Sequence, residues 1–187
     1  MKNFTHPSEA VESILMTEEE IAETCDRIAA EITRDYRGSK RKLVLVCIMK
    51  GSVMFTSELM KRLDLPIEFE CMRVSSYRNG TVQTGNIVIR LDLDRRDLSE
   101  CDILIVEDII DSGKTLFHLS QHLHDRGANS VRTCTLLDKP SRREVEFTPD
   151  YCGKEIPDKF VVGFGLDFAE LFRNLPFIGV LKPEYYA

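Results

Sequence analysis

The sequence predicts an α/β protein, a central parallel sheet flanked by helices in a single domain of 187 residues. Three observations carry that prediction. Two apolar runs without alternation, residues 43–49 and 103–106, read as strands buried on both faces. Each is followed by a segment with apolar residues at helical spacing, the alternation expected of a parallel sheet. Charged and small polar residues gather where these runs end, and open α/β sheets hold their ligands there.

In chain order, Thr17 with Glu20 three residues later forms a capping box. Ile21, Cys25, Ile28 and Ile32 then make the apolar stripe of a first helix, which Gly38 ends. Residues 43–49 read as a strand and 53–63 as a helix. Ile67, Phe69 and Cys71 alternate as a second strand. Residues 77–85 are polar and carry two glycines without any apolar period, so they read as a mobile loop or hairpin connection. Residues 86–93 return as a strand, and 94–100 form a charged surface turn. The run at 103–106 meets two adjacent carboxylates, Glu107 and Asp108, at its C-terminal end. Asp111, Ser112, Gly113, Lys114 and Thr115 open a helix whose apolar positions are Leu116, Leu119 and Leu123 and whose stop is Gly127. Residues 131–137, 160–162 and 177–181 read as further strands. No repeat, linker or low-complexity tract interrupts the pattern.

The composition narrows the function classes. Hydrophobic content of 43% and charged content of 30% are ordinary for a soluble globular protein. No apolar run approaches the roughly 20 residues needed to span a bilayer, and residues 1–7 have no apolar signal core. A cytoplasmic location and no membrane partner are expected. The net charge of −6 argues against nucleic acid as a partner, which calls for a basic face. The six cysteines lie 18 or more residues apart, mostly in apolar segments, and read as buried reduced thiols rather than a disulfide or metal framework. His118 and His122 share a helix face, but no third ligand accompanies them. Arg142-Arg143 is too short for a nucleic-acid patch.

Residues 107–115 carry specific chemistry. Backbone N–H groups at a helix N-terminus make an anion site, and Gly113 lets the backbone approach the anion closely. Ser112 and Thr115 add hydroxyls and Lys114 adds charge, while Glu107 and Asp108 suit neighbouring hydroxyls or a hard cation such as Mg2+. A ligand with a phosphate at one end and a diol nearby is a sugar phosphate. Capping by Asp111 or Ser112 accounts for one side chain and leaves the two carboxylates unexplained. A P-loop requires glycine where Asp108 stands, and the third glycine of a dinucleotide fingerprint begun by Gly163 and Gly165 is Phe168.

The decapeptide Val106-Glu107-Asp108-Ile109-Ile110-Asp111-Ser112-Gly113-Lys114-Thr115 resembles the signature of the type I phosphoribosyltransferases. Met49-Lys50-Gly51-Ser52, Ser76-Tyr77, Leu136-Leu137-Asp138-Lys139 and the segment from Ile156 to Gly163 resemble, in the family's order, motifs of its purine-salvage branch. The resemblance implies the type I phosphoribosyltransferase fold, with a small hood formed by terminal segments and a mobile active-site loop at about residues 75–86. It implies Mg2+-dependent transfer of the phosphoribosyl group from phosphoribosyl pyrophosphate to a 6-oxopurine base, hypoxanthine and also guanine, by a homodimer or homotetramer.

The same resemblance distributes the roles. Glu107, Asp108, Asp111, Ser112, Gly113, Lys114 and Thr115 would hold the ribose phosphate, with Asp111 as catalytic base. Lys50, Gly51 and Arg173 would hold pyrophosphate, and a cis peptide would join Met49 to Lys50. Lys139, Phe160, Val161 and Asp167 would hold the base: Lys139 on its 6-oxo group, Phe160 stacked on its face, Val161 through its backbone. Glu107, Asp108 and Asp167 would hold metal, and Ser76 and Tyr77 would ride on the mobile loop. Asp167 is equally suited to cap a short helix starting there. Two alternatives share the fold: a nucleotide-sensing regulator without catalysis, and a transferase for another base such as xanthine or a pyrimidine.

Overall fold

Thr17 opens the first helix through the expected capping box: its Oγ1 accepts from the N–H of Glu20, and Glu20 Oε2 accepts from the N–H of Thr17 at 2.9 Å. In the computed structural model, which describes residues 6–76 and 87–186, this helix is α1 (Glu18–Tyr36). It follows a strand the sequence did not announce, β1 (Val11–Met16), of which Glu12, Ser13 and Ile14 are exposed and only Met16 is buried, without alternation. The order continues β2 (Lys42–Met49), α2 (Val53–Met60), β3 (Ile67–Ser76), β4 (Ile87–Leu91), β5 (Cys101–Ile110), α3 (Lys114–Asp125), β6 (Ser130–Asp138), β7 (Tyr151–Glu155), β8 (Val161–Val162) and β9 (Ile178–Leu181).

Six strands form the main sheet in the order β4-β3-β2-β5-β6-β7, parallel except for β4. The unbroken apolar runs are explained by its two buried faces. Leu43 and Leu45 of β2 and Leu104 and Val106 of β5 enter a core with Ile21, Cys25, Ile28 and Ile32 of α1 and Phe55 and Leu59 of α2. Val44, Val46, Ile48, Ile103 and Ile105 point the other way, against Leu116, Leu119 and Leu123 of α3. Each run supplies both cores with its alternate residues.

Several expectations require correction. The strands at 160–162 and 177–181 do not extend the parallel sheet; β8 and β9 join β1 in a separate antiparallel sheet of order β1-β9-β8. Helix α2 stops at Met60, short of residue 63, because the Arg62 guanidinium takes the carbonyl of Glu58 at 2.9 Å and replaces a further turn. Residues 94–100 are not purely surface: Leu98 is fully buried in the second core, and Arg95 pairs with Glu68 and Glu70. Strand β7, with Gly153 and Lys154 in its middle, carried little strand signal. The six cysteines are all free, four of them buried.

Candidate active site

The ends of three adjacent strands, β2, β5 and β6, supply the loops of the site. β5 runs on through Ile110, because Ile109 and Ile110 stay paired with Leu137 and Asp138 of β6. Glu107 and Asp108 therefore lie within the strand, three residues before the loop, rather than at its end. Gly113 stands at the N-cap of α3 with φ +82°, and a Cβ there would lie 2.9 Å from Arg143 Cδ. Beneath this turn is a cavity of 280 Å3 lined by Glu107, Asp111, Ser112, Gly113 and Thr115 together with apolar residues from β2 and β5. The arrangement suits an anion above the first turn of α3. The Lys114 side chain does not enter the cavity; its ammonium pairs with Glu144 on the surface.

The segment after β6 clamps this loop. The backbone N–H of Glu144 donates to Ser112 O at 2.9 Å, and that of Lys139 to Ile110 O at 2.9 Å. The Arg143 guanidinium donates to Asp111 O at 2.5 Å and pairs with Asp138. Beside it, Arg142 Nε lies 3.1 Å from Asp111 Oδ1, and Arg142 Nη1 lies 3.4 Å from Asp158 Oδ1. Lys139 Nζ is 4.0 Å from the same Asp158 oxygen. Its side chain is only 9% exposed. Burial pulls its pKa below the usual lysine value, against the opposing pull of Asp111 and Asp158. A short chain of charges thus links Asp111 in the phosphate loop to the buried lysine.

The third strand end supplies a tight turn. The Met49–Lys50 peptide is cis. Gly51 follows, and an added Cβ there would lie 1.7 Å from Asp108 Oδ2. Asp108 is buried directly beneath this turn, its Oδ1 accepting from the N–H of Ile109 at 2.8 Å. Burial, then the neighbouring Asp108 charge, pushes the Glu107 carboxyl well above the usual carboxylate range. Burial also raises Asp108, against the hydrogen bonds from Glu107 and the backbone.

On the other side of Gly51 lies Gly165, whose added Cβ would meet Gly51 O at 2.0 Å. Gly165 O accepts from Arg173 Nη1 at 2.7 Å, and Arg173 Nη2 pairs with Asp167 Oδ1 at 2.7 Å. Lys50 Nζ reaches into the same loop, 2.7 Å from Glu170 Oε2, and holds that carboxyl below its ordinary value. No helix begins at Asp167. Its Oδ2 instead accepts from the N–H of Glu170 within a turn where Ala169, Glu170 and Phe172 all have positive φ.

Val161 begins β8 and Phe160 lies just before it, outside the strand expected at 160–162; they follow Asp158 by three and two residues. Phe160 is 38% exposed, while Val161 is buried and paired with Val180 of β9.

The fold therefore brings Lys50, Gly51, Asp108, Asp167 and Arg173 together on one side, and Asp111, Ser112, Gly113 and Lys139 on the other. The side chain of Ser76, and all of Tyr77 and the loop at 77–86, lie outside the described residues. Among the described residues, no three His, Cys, Asp or Glu side chains group as a metal site. His122 bonds Asp92 at 2.8 Å, and His118 meets the Phe117 ring. Arg142, Arg143 and Glu170 carry no sequence signal as site residues, and Asp158 stands in the motif at 156–163 without a role of its own. In sequence the two arginines form only a short basic run. Glu170 finds Lys50 across 120 positions, a pairing without a local signal.

Comparison with known proteins agrees with this geometry. The family model described as phosphoribosyl transferase domain matches residues 12–169. A hypoxanthine-guanine phosphoribosyltransferase of Staphylococcus aureus (strain Mu50 / ATCC 700699) is 48% identical over 177 residues, covering 95% of this chain and 97% of its own. A crystal structure of a hypoxanthine phosphoribosyltransferase from S. aureus superposes with a TM-score of 0.89 at 47% identity, covering 96% of each chain. A mutant hypoxanthine phosphoribosyltransferase of Trypanosoma cruzi, in a ternary complex with substrates, gives 0.90 at 39% identity over 96% of this chain and 100% of that one. A family match over most of the chain, on a sheet whose strand ends carry the signature residues, has one reading: this chain belongs to the phosphoribosyltransferase family, on its hypoxanthine-guanine branch.

Proposed function

We propose that this chain is a purine-salvage enzyme that transfers the phosphoribosyl group of phosphoribosyl pyrophosphate to hypoxanthine and guanine, yielding the nucleoside monophosphate and pyrophosphate. The observation that carries the reading is the position of Asp111. It belongs to the phosphate loop, yet through Arg142 and Asp158 it shares a charge chain with the buried Lys139.

The proposed chemistry follows from those positions. The first turn of α3, with Ser112, Gly113 and Thr115, cradles the 5-phosphate. Asp111 then stands where the ribose meets the base, able to take or share the N7 proton as the glycosidic bond forms. General-base help of this kind is worth about 10²–10⁴-fold. Lys139, a donor that accepts nothing while protonated, matches a 6-oxo group and mismatches a 6-amino group, so adenine is excluded. Lys50, the Gly51 backbone and Arg173 stabilise charge developing on the leaving pyrophosphate. Among the described residues, the buried Arg173 Nε has no hydrogen-bond partner, so this donor's capacity is unused.

Hard carboxylate oxygens whose charge is disfavoured by burial suit a divalent cation. Held by Glu107 and Asp108 on the ribose side and by Asp167 near the base, Mg2+ would supply neutralising charge for the departing pyrophosphate. Asp167 would have to exchange Arg173 for that role. The small β1-β9-β8 sheet is assigned the hood over the base.

Free, largely buried thiols favour a reducing, cytoplasmic setting. Among the described residues, no helix is long and apolar enough to cross a membrane. Exposed Val53, Met54, Phe69 and Leu91 offer apolar surface for a homodimer or homotetramer.

A spectrophotometric assay with phosphoribosyl pyrophosphate and Mg2+ tests the reading against hypoxanthine, guanine, xanthine, adenine and uracil. Turnover is expected with hypoxanthine and guanine and not with adenine or uracil. Binding of the sugar pyrophosphate without turnover of any base would make the chain a sensor instead.

A further inference from the structure

Phe160 is the one aromatic side chain assigned to the base, and little of the two main cores holds it. Among the described residues its ring has two aromatic neighbours. Phe168 meets it nearly perpendicular, with ring centroids 5.6 Å apart and an interplanar angle of 87°. Tyr186 lies almost parallel to it, 5.0 Å away at 22°.

The stack is built by the chain's path. The N–H of Leu181, the last residue of β9, donates to Phe160 O at 2.8 Å. The chain then turns back through a 3-10 turn at Pro183–Tyr185, where the N–H of Tyr186 donates to Pro183 O at 3.1 Å. Tyr185 packs against the cluster of Ala10, Val162, Phe172, Leu175 and Leu181 and anchors that turn. Tyr186 is thereby delivered onto Phe160, which keeps 38% of its surface open.

We propose that Tyr186 is a positioning residue for base recognition. It backs the Phe160 ring and fixes its tilt, so that a purine laid on the open side becomes the third ring of a pile. Two side-chain contacts, one perpendicular and one parallel, hold an otherwise exposed ring to one orientation. Stacking between aromatic rings depends on that orientation. This inference rests on the assignment of Phe160 to the base, and the test separates the two.

Steady-state kinetics of the full chain would compare Tyr186→Ala, Tyr186→Leu and Tyr186→Phe with Phe160→Ala and the double variant Phe160→Ala/Tyr186→Ala. Loss of one aromatic pair corresponds to about a two- to tenfold change. Tyr186→Ala and Tyr186→Leu are expected to raise KM for hypoxanthine by that factor and to leave KM for phosphoribosyl pyrophosphate unchanged. Tyr186→Phe is expected to restore it, and the double variant to be no worse than Phe160→Ala alone. An unchanged KM in Tyr186→Ala would overturn the proposal. So would a lowered one, which would mean that the tyrosine sits where the base belongs. An effect of Tyr186→Ala that persists at full size without Phe160 would also overturn it, since the tyrosine would then act on its own. An unchanged KM in Phe160→Ala would instead remove the assignment of Phe160 to the base.

Discussion

Replacing Gly51 by alanine tests whether the pyrophosphate turn and the acidic pair form one packed unit. The added Cβ would lie 1.7 Å from Asp108 Oδ2 and 2.7 Å from its Cγ. The nearer approach is roughly 2 Å short of ordinary contact. Neither partner can withdraw cheaply. Asp108 is buried, and its other oxygen holds the N–H of Ile109 at 2.8 Å. The Gly51 carbonyl is backed by Gly165, where the approach is so close that a Cβ would come within 2.0 Å.

Overpacking costs about 1–3 kcal/mol, and a displaced hydrogen bond to a charged group about 1.5–3 kcal/mol. The two losses overlap, so a destabilisation of about 2–4 kcal/mol is expected. For a chain of this length that corresponds to a Tm lower by about 4–16 °C. Calorimetry and urea unfolding would measure it. Gly38→Ala is the control, because a Cβ there meets nothing within 4 Å and only its φ of +83° resists; it should cost about 1–2 kcal/mol. A Gly51→Ala protein that melts within about 1 °C of the parent would refute the packing argument, as would one that melts no lower than Gly38→Ala.

Three further perturbations address the chemistry. Asp111→Asn should lower kcat by about 10²–10⁴-fold with little loss of stability; near-normal turnover in rapid-quench and steady-state assays would remove its role as base. Lys139→Met should abolish use of hypoxanthine while phosphoribosyl pyrophosphate still binds in titration calorimetry. The same variant should be more stable than the parent at neutral pH. The parent's lysine is charged there against its burial, and the folded chain releases that proton before the unfolded one does. The parent therefore recovers stability as pH rises from its lowered folded value towards the ordinary ~10.4, and urea unfolding at pH 7 and pH 10 should show the gap between variant and parent closing. Glu170→Gln should lower KM for phosphoribosyl pyrophosphate about two- to fivefold, the range of an exposed ion pair; a raised KM would mean that Glu170 orients Lys50 rather than competes for it.

The parts of the molecule legible in its sequence are those set by local periodicity or by a contiguous motif. The α1 capping box and the buried runs of β2 and β5 fall in this group. So does the signature loop, where Gly113 sits at the positive φ its position demands. What stayed hidden depends on distant partners. β1 is a strand because β9 pairs with it, and nothing in its exposed residues indicates this. The orientation of Lys114 could not be read either, since Glu144 takes its charge from 30 positions away. Arg142 and Arg143 looked like a surface run, yet tertiary contact places one on the carboxylate of Asp111 and the other on its carbonyl.

These distant pairings share a pattern that bears on how the site works. Of the basic side chains assigned to substrate, Lys50 is held by Glu170, Arg173 by Asp167 and Lys114 by Glu144, and Arg142 covers Asp111. In a chain of net charge −6, substrate meets a centre whose cations are already balanced. Binding a pyrophosphate is then an exchange of one anion for another, and each displaced carboxylate is left facing the incoming charge. Most of these pairs are substantially exposed, so each is worth less than about 1 kcal/mol and exchanges readily. Such an arrangement keeps the empty site from holding stray anions tightly. On the proposed assignment, Asp167 would be released if Arg173 turned to pyrophosphate, since the two side chains pair at 2.7 Å. Affinity for phosphoribosyl pyrophosphate should therefore exceed that for inorganic phosphate by more than charge alone predicts, because only the larger ligand spans both Lys50 and the α3 turn and displaces the carboxylates together.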